Sequence, residues 1–428
     1  METANLYKLF LESTGVTTDT RKVSDGNIFF ALSGDNFDGN TFAQDAINKG
    51  CSFAVVDNAD FVKDKRYILV DDCLKALQKL ARYHRDQFKI PFVGITGSNG
   101  KTTTKELISK TLGAKYKVLF TEGNLNNHIG VPLTLLRVNK ETEIAIIEMG
   151  ANHPGEIGFL CNIAMPTHGI ITNIGKAHLE GFGGFEGVKK TKNELYSHLI
   201  SNKGVVFANG GNEILRSLLD GKQVTKVFYG SSDDSQYVGE IIKADPFLEF
   251  NVVNQGVINT KLAGRYNLEN ALAAVCIGMF FGVSYDKIKG ALESYEPSNQ
   301  RSQIKHTEKN SLLMDYYNAN PSSMEVAIEN FSKMEHNKKA VVLGDMLELG
   351  EEAGVEHRKV INQVQALNPS LVVFVGPIFQ GLINNKVFKS FVTSEEARVW
   401  FQNENLEGFL FLLKGSRGIK LEKIAEIL

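Results

Sequence analysis

The chain of 428 residues has few cysteines and no excess of either charge. Its four cysteines are widely spaced, without a CxxC pair or a close histidine: Cys51, Cys73, Cys161 and Cys276. This spacing does not fit a zinc site, and we interpret them as buried free thiols in a reducing cytoplasm. The formal net charge is -2 and no dense Lys/Arg run occurs. A nucleic-acid groove is therefore not expected, and the expected partners are small molecules.

Long apolar segments are also missing. The longest, Ala271–Val283, is too short to cross a bilayer and predicts a buried helix. The first residues, METANLYKLF, lack a basic segment followed by an apolar core, so we expect neither a signal peptide nor membrane insertion. With 43% hydrophobic and 22% charged residues, the composition is that of a soluble globular protein, and the length predicts several domains.

The pattern of apolar runs divides the chain into three segments, 1–88, 89–297 and 298–428. The first has short apolar runs and ends with an amphipathic helix before Pro91. The second alternates buried strands with helices, which predicts a parallel sheet, and has a small antiparallel excursion between Val224 and Leu262. The third restarts near Ser298 with further strand–helix pairs. We expect an α/β fold with a small first domain, a central parallel-sheet domain and a Rossmann-like C-terminal domain.

A phosphate-binding loop lies in GITGSNGKTTTKE, Gly94–Glu106. An apolar strand precedes two glycines, which let backbone N–H groups face an anion, and Lys101 opens the following helix. Thr102 is placed to hold Mg²⁺, although Ile95 departs from the strict Walker pattern. The residues expected to contact the nucleotide here are Thr96, Gly97, Ser98, Asn99, Gly100, Lys101, Thr102 and Thr103.

Polar residues follow two other predicted strands. Glu148 ends the strand in IIEMG and could ligate a Mg²⁺ shared with phosphates, but it could also be a partly exposed strand-end glutamate. His178, in NIGKAHLEG, could complete a second metal site, whereas a lone histidine is usually structural. After His178, a predicted helix carries three closely spaced lysines: Lys189, Lys190 and Lys192. From the sequence pattern alone, such a cluster indicates a helix face exposed to solvent.

Several strings together resemble the Mur ligase superfamily, whose members activate a carboxylate as an acyl phosphate to form an amide. They are GITGSNGKTTTKE, NLNNHIGVPLTLL, EMGANHPGEI, AHLEGFGG, GRYNLENALAA, YNANPSSM and VLGDMLELG, and they span most of the chain. The last two favour the member that uses ATP and Mg²⁺ to add D-Ala-D-Ala to UDP-MurNAc-tripeptide in peptidoglycan synthesis. The resemblance implies a UDP-MurNAc-binding first domain, an ATP-binding central domain and a dipeptide-binding C-terminal domain. We expect a cytoplasmic monomer that closes over its substrates.

The resemblance also implies roles for individual residues. Lys192 is expected to be carbamylated and, with Lys101 and His178, catalytic, although Asn193 replaces the glycine of the family's AKGE pattern. The implied metal ligands are Thr102, Glu148, His178 and Lys192. On the nucleotide, Asn267 and Asn270 are expected at adenine, Arg301 at the γ-phosphate and Asp315 at the ribose. The substrate-binding candidates are Thr20, Arg21, Asn36 and Asp38 for the UDP-sugar, Asn318 and Asn320 for the dipeptide, and Asn126 and Asn127 without assignment to a particular substrate.

Structural roles remain open for many of these residues. Asn267 could cap a helix, Arg301 and Arg21 could be surface cations, and Asp315 could cap a strand end. The asparagines of YNANP could simply form a turn. Rival functions are another amide ligase of the superfamily, such as the third-residue-adding ligase or a folylpolyglutamate synthase, a P-loop kinase or NTPase, and an inactive UDP-sugar-binding scaffold.

Overall fold

The computed structural model describes residues 1–298, 300–383 and 387–428. Its first domain is a parallel sheet with strand order β1-β2-β3-β4. The helix α3 starts because Asp72 caps it, accepting from Lys75 N at 2.8 Å, and it buries an apolar face that includes Leu77 and Leu80. The elements are α1 (Thr3–Glu12), β1 (Val16–Thr17), β2 (Ile28–Phe30), α2 (Ala43–Asn48), β3 (Phe53–Val56), β4 (Tyr67–Leu69) and α3 (Cys73–Arg85).

The central domain contains a parallel sheet of order β10-β9-β8-β5-β7-β6. Strands β5 and β7 are buried along their whole length, as expected for central strands covered by helices on both faces. The elements are β5 (Phe92–Thr96), α4 (Lys101–Gly113), β6 (Val118–Phe120), α5 (Gly130–Leu135), β7 (Ile144–Glu148), α6 (Glu156–Ala164), β8 (His168–Ile171), α7 (Leu179–Phe182), α8 (Phe185–Ser201), β9 (Val205–Asn209), α9 (Glu213–Leu219) and β10 (Thr225–Tyr229).

A separate antiparallel sheet follows, of order β11-β12-β13. It starts later than the predicted excursion because β10 pairs in parallel with β9 and extends the main sheet. Its strands are β11 (Gly239–Ala244), β12 (Phe247–Val252) and β13 (Gly256–Ala263), and the helices α10 (Asn267–Phe280) and α11 (Tyr285–Glu293) come next. The longest apolar run lies mostly in the buried helix α10. Within the described residues, none of the helices has the length and hydrophobicity needed to span a membrane.

The C-terminal domain has a mixed sheet of order β14-β15-β19-β16-β17-β18, in which only the edge strand β14 is antiparallel to its neighbour. The other strands give the predicted Rossmann-like arrangement. The elements are β14 (Gln303–His306), β15 (Ser311–Met314), α12 (Pro321–Lys333), β16 (Lys339–Gly344), α13 (Ala353–Leu367), β17 (Leu371–Val375), α14 (Pro377–Leu382), β18 (Lys389–Phe391), α15 (Ser394–Asn403), β19 (Leu410–Lys414) and α16 (Glu422–Ala425). Short 3-10 turns lie at Thr20–Lys22, Gly39–Phe42, Ala59–Phe61, Gly350–Glu352 and Arg417–Ile419.

A cavity of about 720 Å³ lies between the central and C-terminal domains. Loops at the carboxyl ends of β5, β7 and β8 contribute residues on one side, and the loop after β15 and the last residue of β19 contribute residues on the other. Ligands of open parallel sheets bind at this end of the strands. The topology therefore places the ligand-binding edges of the two sheets on opposite sides of the same cavity.

Candidate active site

The loop between β5 and α4 depends on two glycines. Gly97 and Gly100 have φ values of 145° and 77°, a region that favours glycine. A Cβ on Gly97 would lie 2.0 Å from Oγ1 of Thr172, and one on Gly100 would lie 2.6 Å from Oδ1 of Asn270. The loop thus turns tightly into α4, which begins at Lys101 with its N-terminus at the cavity. A helix N-terminus at a glycine turn is suited to an anion.

The end of β8 holds this loop in place. Asn173 accepts from Ser98 N through its backbone oxygen at 3.0 Å and from Asn99 N through Oδ1 at 2.9 Å. Oγ of Ser98 donates to the oxygen of Gly175 at 3.0 Å. Asn173 was not predicted from the sequence, although its position just after a buried strand could have indicated it. Thr96, by contrast, is fully buried and donates to the oxygen of Met149, so its side chain is held away from the cavity.

Lys101 lies over the loop. Its Nζ donates to the oxygens of Gly97 and Ser98 at 2.7 and 3.1 Å. Burial lowers the pKa of the Lys101 ammonium to about 8; Glu148 acts in the opposite direction and Arg301 adds to the decrease. An anionic ligand would restore the charged form, because it supplies the negative charge that the protein alone provides only in part.

The carboxylate of Glu148 is buried at the end of β7. Its Oε1 accepts from Nδ2 of Asn126 at 2.9 Å and from Oγ1 of Thr102 at 3.3 Å. Its Oε2 has no hydrogen-bond partner among the described residues, and Nζ of Lys105 lies 3.5 Å away. Lys105 was not predicted from the sequence, because its partner Glu148 lies on another element of the domain. A buried carboxylate oxygen left without a hydrogen bond is a suitable ligand for Mg²⁺.

These residues fit a magnesium ion that is completed by its substrate. In the described part of the chain, no group of three or more His, Cys, Asp or Glu side chains is arranged to hold a metal. Mg²⁺ commonly takes one or two protein oxygens and fills its remaining positions with phosphate and water. Thr102 and Glu148 are the oxygen donors that could supply the protein's share.

His178 and Lys192 lie further along the central domain. His178 lines the cavity and contacts Glu348 of the C-terminal domain through Nδ1. On α8, Lys192 is only 2% exposed, while Lys190 is exposed and Lys189 is half-buried. Burial and the nearby Lys101 lower the pKa of Lys192 to about 7. Lys192 therefore has a substantial neutral fraction near neutral pH.

A chain of hydrogen bonds runs along the predicted adenine side. Oγ1 of Thr104 donates to Oδ1 of Asn270 at 3.0 Å, and Nδ2 of Asn270 donates to Oδ1 of Asn267 at 2.8 Å. Nδ2 of Asn267 then donates to the oxygen of Ala263. Asn267 and Asn270 both line the cavity. The N-cap of α10 is Tyr266, so Asn267 is not the cap that one interpretation considered.

Residues of the C-terminal domain form the opposite wall. Arg301 lies over the ring of Tyr317 at 3.8 Å, and its buried Nε has no hydrogen-bond partner among the described residues. Asp315 accepts from Nζ of Lys414 at 2.7 Å. Lys414, at the end of β19, was also missed by the sequence analysis. These residues and Asn318 line the cavity, with Asn318 exposed.

Asn320 and Asn127 line the cavity but are partly engaged in local structure. Asn320 caps α12, where its Oδ1 accepts from Ser323 N at 2.9 Å, and its Nδ2 donates to Oδ1 of Asn99 at 2.8 Å. Oδ1 of Asn127 accepts from Gly130 N at 2.9 Å at the start of α5. For Asn320, the turn-forming interpretation therefore describes part of what the side chain does.

The four first-domain candidates do not line this cavity. Arg21, whose side chain is 85% exposed, pairs with Asp19 at 2.9 Å. Oδ1 of Asp38 accepts from Ser33 Oγ at 3.0 Å and from the turn that it caps. Thr20 is half-buried and Asn36 is exposed. Any role for these residues would belong to a separate part of the surface.

Comparison with known proteins gives matches along the length of the chain. Family models match in three places: "Mur ligase family, catalytic domain" over residues 12–85, "Mur ligase middle domain" over 95–278, and "Mur ligase, glutamate ligase domain" over 300–407. The UDP-N-acetylmuramoyl-tripeptide--D-alanyl-D-alanine ligase of Bacillus subtilis is 35% identical, covering 96% of this chain and 92% of its own length. The enzyme of the same name from Escherichia coli is 34% identical, with 96% and 93% covered.

Solved structures give a similar result. MurF from Acinetobacter baumannii superimposes with a TM-score of 0.88 at 30% identity, covering 99% of this chain and 98% of that one. The MurF ligase from Thermotoga maritima in complex with ADP gives 0.85 at 28% identity, with 98% and 97% covered. A pseudomurein peptide ligase type C from Methanothermus fervidus, at 16% identity and a TM-score of 0.68, shares the fold.

Proposed function

This chain belongs to the Mur ligase family, and we propose that it adds D-Ala-D-Ala to UDP-MurNAc-tripeptide at the expense of ATP. Two kinds of support converge. Relatives of that name match nearly the whole chain, and one similar structure is a complex with ADP. The observation that carries the proposal is the cavity itself, where a phosphate loop and a buried carboxylate face the ligand-binding edge of a second sheet.

The three domains would each hold one substrate. We assign the UDP-sugar to residues 1–88, ATP to 89–297 and the dipeptide to 298–428. The family matches support this division, although the middle-domain match ends at residue 278, 19 residues before the proposed end of that domain at 297. The ATP contacts would come from the phosphate loop, Asn267, Asn270 and Asp315. Asn318 and Asn320 would hold the dipeptide, and Asn126 and Asn127 the acceptor.

The chemistry follows from the poor leaving group of a free carboxylate. The terminal carboxylate of the tripeptide first attacks the γ-phosphorus of ATP, which gives an acyl phosphate and ADP. The amine of D-Ala-D-Ala then attacks the acyl carbon, and the tetrahedral intermediate expels phosphate. Lys101 and Arg301 would neutralise charge on the transferred group, and the N-terminus of α4 would hold its oxygens. Closed domains would keep water from the acyl phosphate.

Magnesium would be held by Thr102 and Glu148, with His178 near a second ion. When bound, it would neutralise the charge of the phosphate oxygens. The position of Glu148 supports this assignment, because one of its oxygens is buried without a hydrogen bond. Lys105, 3.5 Å from that oxygen, would balance the carboxylate's charge in the absence of metal.

We also propose that Lys192 carries a carbamate. Its neutral amine would attack CO₂ and lose a proton, which would give a carbamate anion suited to the second metal. Burial and the lowered pKa of Lys192 support this, because only the neutral amine reacts. The carbamate would form less readily as the pH falls below about 7, where Lys192 is protonated.

The cellular setting and assembly are part of the same proposal. All four cysteines are free and buried, in keeping with a reducing compartment, and we propose that the protein acts in the cytoplasm. We propose a monomer, because one chain supplies all the site residues named above.

An assay of ADP release would test the function. With UDP-MurNAc-tripeptide and ATP, release should require D-Ala-D-Ala and should match formation of UDP-MurNAc-pentapeptide. Replacing the acceptor with UDP-MurNAc-dipeptide and supplying diaminopimelate or lysine tests the third-residue ligase. ADP release without any dipeptide would instead favour a kinase or NTPase, and activity with the dipeptide acceptor would favour the third-residue ligase.

A further inference from the structure

Two residues with left-handed backbones meet across the boundary of the central and C-terminal domains. Glu348, in the loop after β16, has φ of 66°, and His178, just before α7, has φ of 52°. Oε2 of Glu348 is in direct contact with Nδ1 of His178, although the alignment is not that of a regular hydrogen bond. Residues other than glycine seldom adopt this conformation, and those that do occur at functional sites as well as in turns and helix caps.

Stability is a poor explanation for this contact. The side chain of Glu348 is 54% exposed and that of His178 is 24% exposed. A side-chain contact that is partly open to solvent contributes little to the free energy of unfolding. The side-chain contact therefore does not by itself account for the two left-handed backbone conformations.

The loop that carries Glu348 is fixed within the C-terminal domain. Met346 N donates to Nε2 of His357 at 3.0 Å, and Leu347 N donates to Oγ of Ser416 at 3.0 Å. Met346 and His357 are fully buried. The backbone of Glu348 is therefore carried by the C-terminal sheet, while its side chain reaches the central domain.

The segment that carries His178 is held by the same domain from a second direction. Nζ of Lys176 lies 2.8 Å from Oε1 of Glu356, and Lys176 N donates to Oγ of Ser322 at 2.9 Å. Glu180 N donates to the oxygen of Glu348 at 3.4 Å. Contacts with the C-terminal domain thus lie on both sides of His178 along the chain.

We propose that Glu348 is a positioning residue for His178, holding its Nδ1 so that Nε2 is left for a ligand in the cavity. The inference rests on the proposed function, in which His178 serves the phosphoryl-transfer site. A histidine that binds a metal commonly has its other ring nitrogen against a carboxylate, which fixes the tautomer and the ring orientation. Here the carboxylate comes from another domain. His178 is consequently oriented only while the C-terminal domain is docked, which links the dipeptide domain to the ATP site.

The ring tautomer of His178 tests this proposal without any assay of activity. Protein labelled with nitrogen-15 at histidine would be studied by NMR at a pH where the imidazole is neutral, and His178→Gln would identify the signals. We expect the Nδ1–H form in the wild type and in Glu348→Gln, whose carboxamide oxygen can still accept. Glu348→Ala should shift His178 toward the Nε2–H form. An unchanged tautomer in Glu348→Ala would overturn the proposal.

Kinetics provide the second measurement. Glu348→Ala should lower kcat about 10-fold or more, as expected for loss of a carboxylate behind a ligating histidine, with smaller changes in the KM values. Glu348→Gln should retain most activity. The control is Glu351→Gln, an exposed glutamate close by in the chain, which should match the wild type. Equal losses in Glu348→Ala and Glu351→Gln would refute a specific role. A wild-type protein without dipeptide-dependent ADP release would refute the proposed function, and the tautomer would still decide the positioning role.

Discussion

The polar residues around the phosphate loop and those of the first domain differ in how far along the chain their partners lie. Thr104 is 166 residues from Asn270, and Asn99 is 74 residues from Asn173. In the first domain, Arg21 pairs with a residue only two positions away. Side chains whose hydrogen-bond partners are distant in the sequence are held in position only by the folded protein. Side chains paired within a local turn stay exposed and can exchange that partner for a ligand. Substitutions should therefore affect catalysis strongly in the first region and weakly in the second.

The largest effect is expected for Lys101→Ala. Removing this cation from the phosphate loop should lower kcat by ~10²-fold or more, the usual cost of losing one preorganised group that stabilises a transition state. The melting temperature should change little, because the side chain bonds only to loop oxygens and contributes little to a core. Lys110→Ala, an exposed position of the same helix, is the control. Activity near that of the wild type would remove the basis for the ATP-loop assignment.

A loss of most activity is expected for Lys192→Ala, on the order of 10-fold or more by analogy with other residues around metal sites. Lys190→Ala, on the exposed side of the same helix, should be nearly silent. Protein equilibrated with isotopically labelled CO₂ should show a carbamate signal that the Lys192 variant lacks. Equal losses at both positions, or an unmodified Lys192 in a ligand-bound crystal structure, would contradict the carbamate proposal.

Asn318 and Asn320 should have an intermediate effect that is specific to one substrate. Either substitution by Ala should raise KM for D-Ala-D-Ala by about 10-fold, the equivalent of one hydrogen bond, with less effect on KM for ATP. The two differ in stability, since Asn320 also caps α12 and its loss should cost about 1 kcal/mol. The free energy of unfolding, measured in urea, distinguishes the two variants. If KM for ATP rises instead, the dipeptide does not bind at the C-terminal-domain side of the cavity as proposed.

The smallest effect is expected for Arg21→Ala. Its guanidinium already pairs with Asp19, so a ligand phosphate would exchange one partner for another, and KM for the UDP-sugar substrate should rise by only about 3-fold. The melting temperature should not change, because the side chain is exposed. A 100-fold rise in this KM would mean that Arg21 is held in place for its ligand as firmly as the residues of the phosphate loop. That result would contradict the expected difference between the two regions.

Prediction from sequence succeeded where the pattern is local and failed where pairing decides the result. The buried strands β5 and β7 were predicted because each is a short apolar run followed by a turn. The strand β10 was assigned to the antiparallel excursion because its pattern does not specify which neighbour it joins, and only its pairing with β9 places it in the main sheet. Asn173 and Lys105 were missed for the same reason, since their roles depend on partners far along the chain.

By itself, the sequence determined the glycine turn with its lysine, the order of strands and helices, and the polar residues at the strand ends. These depend on backbone conformations and periodicities that a few neighbouring residues specify. The tertiary structure alone decided which of three nearby lysines is buried, which oxygen of Glu148 lacks a hydrogen bond, and that Glu348 meets His178. Burial and contact depend on what packs against a side chain, and here those partners come from other strands and another domain.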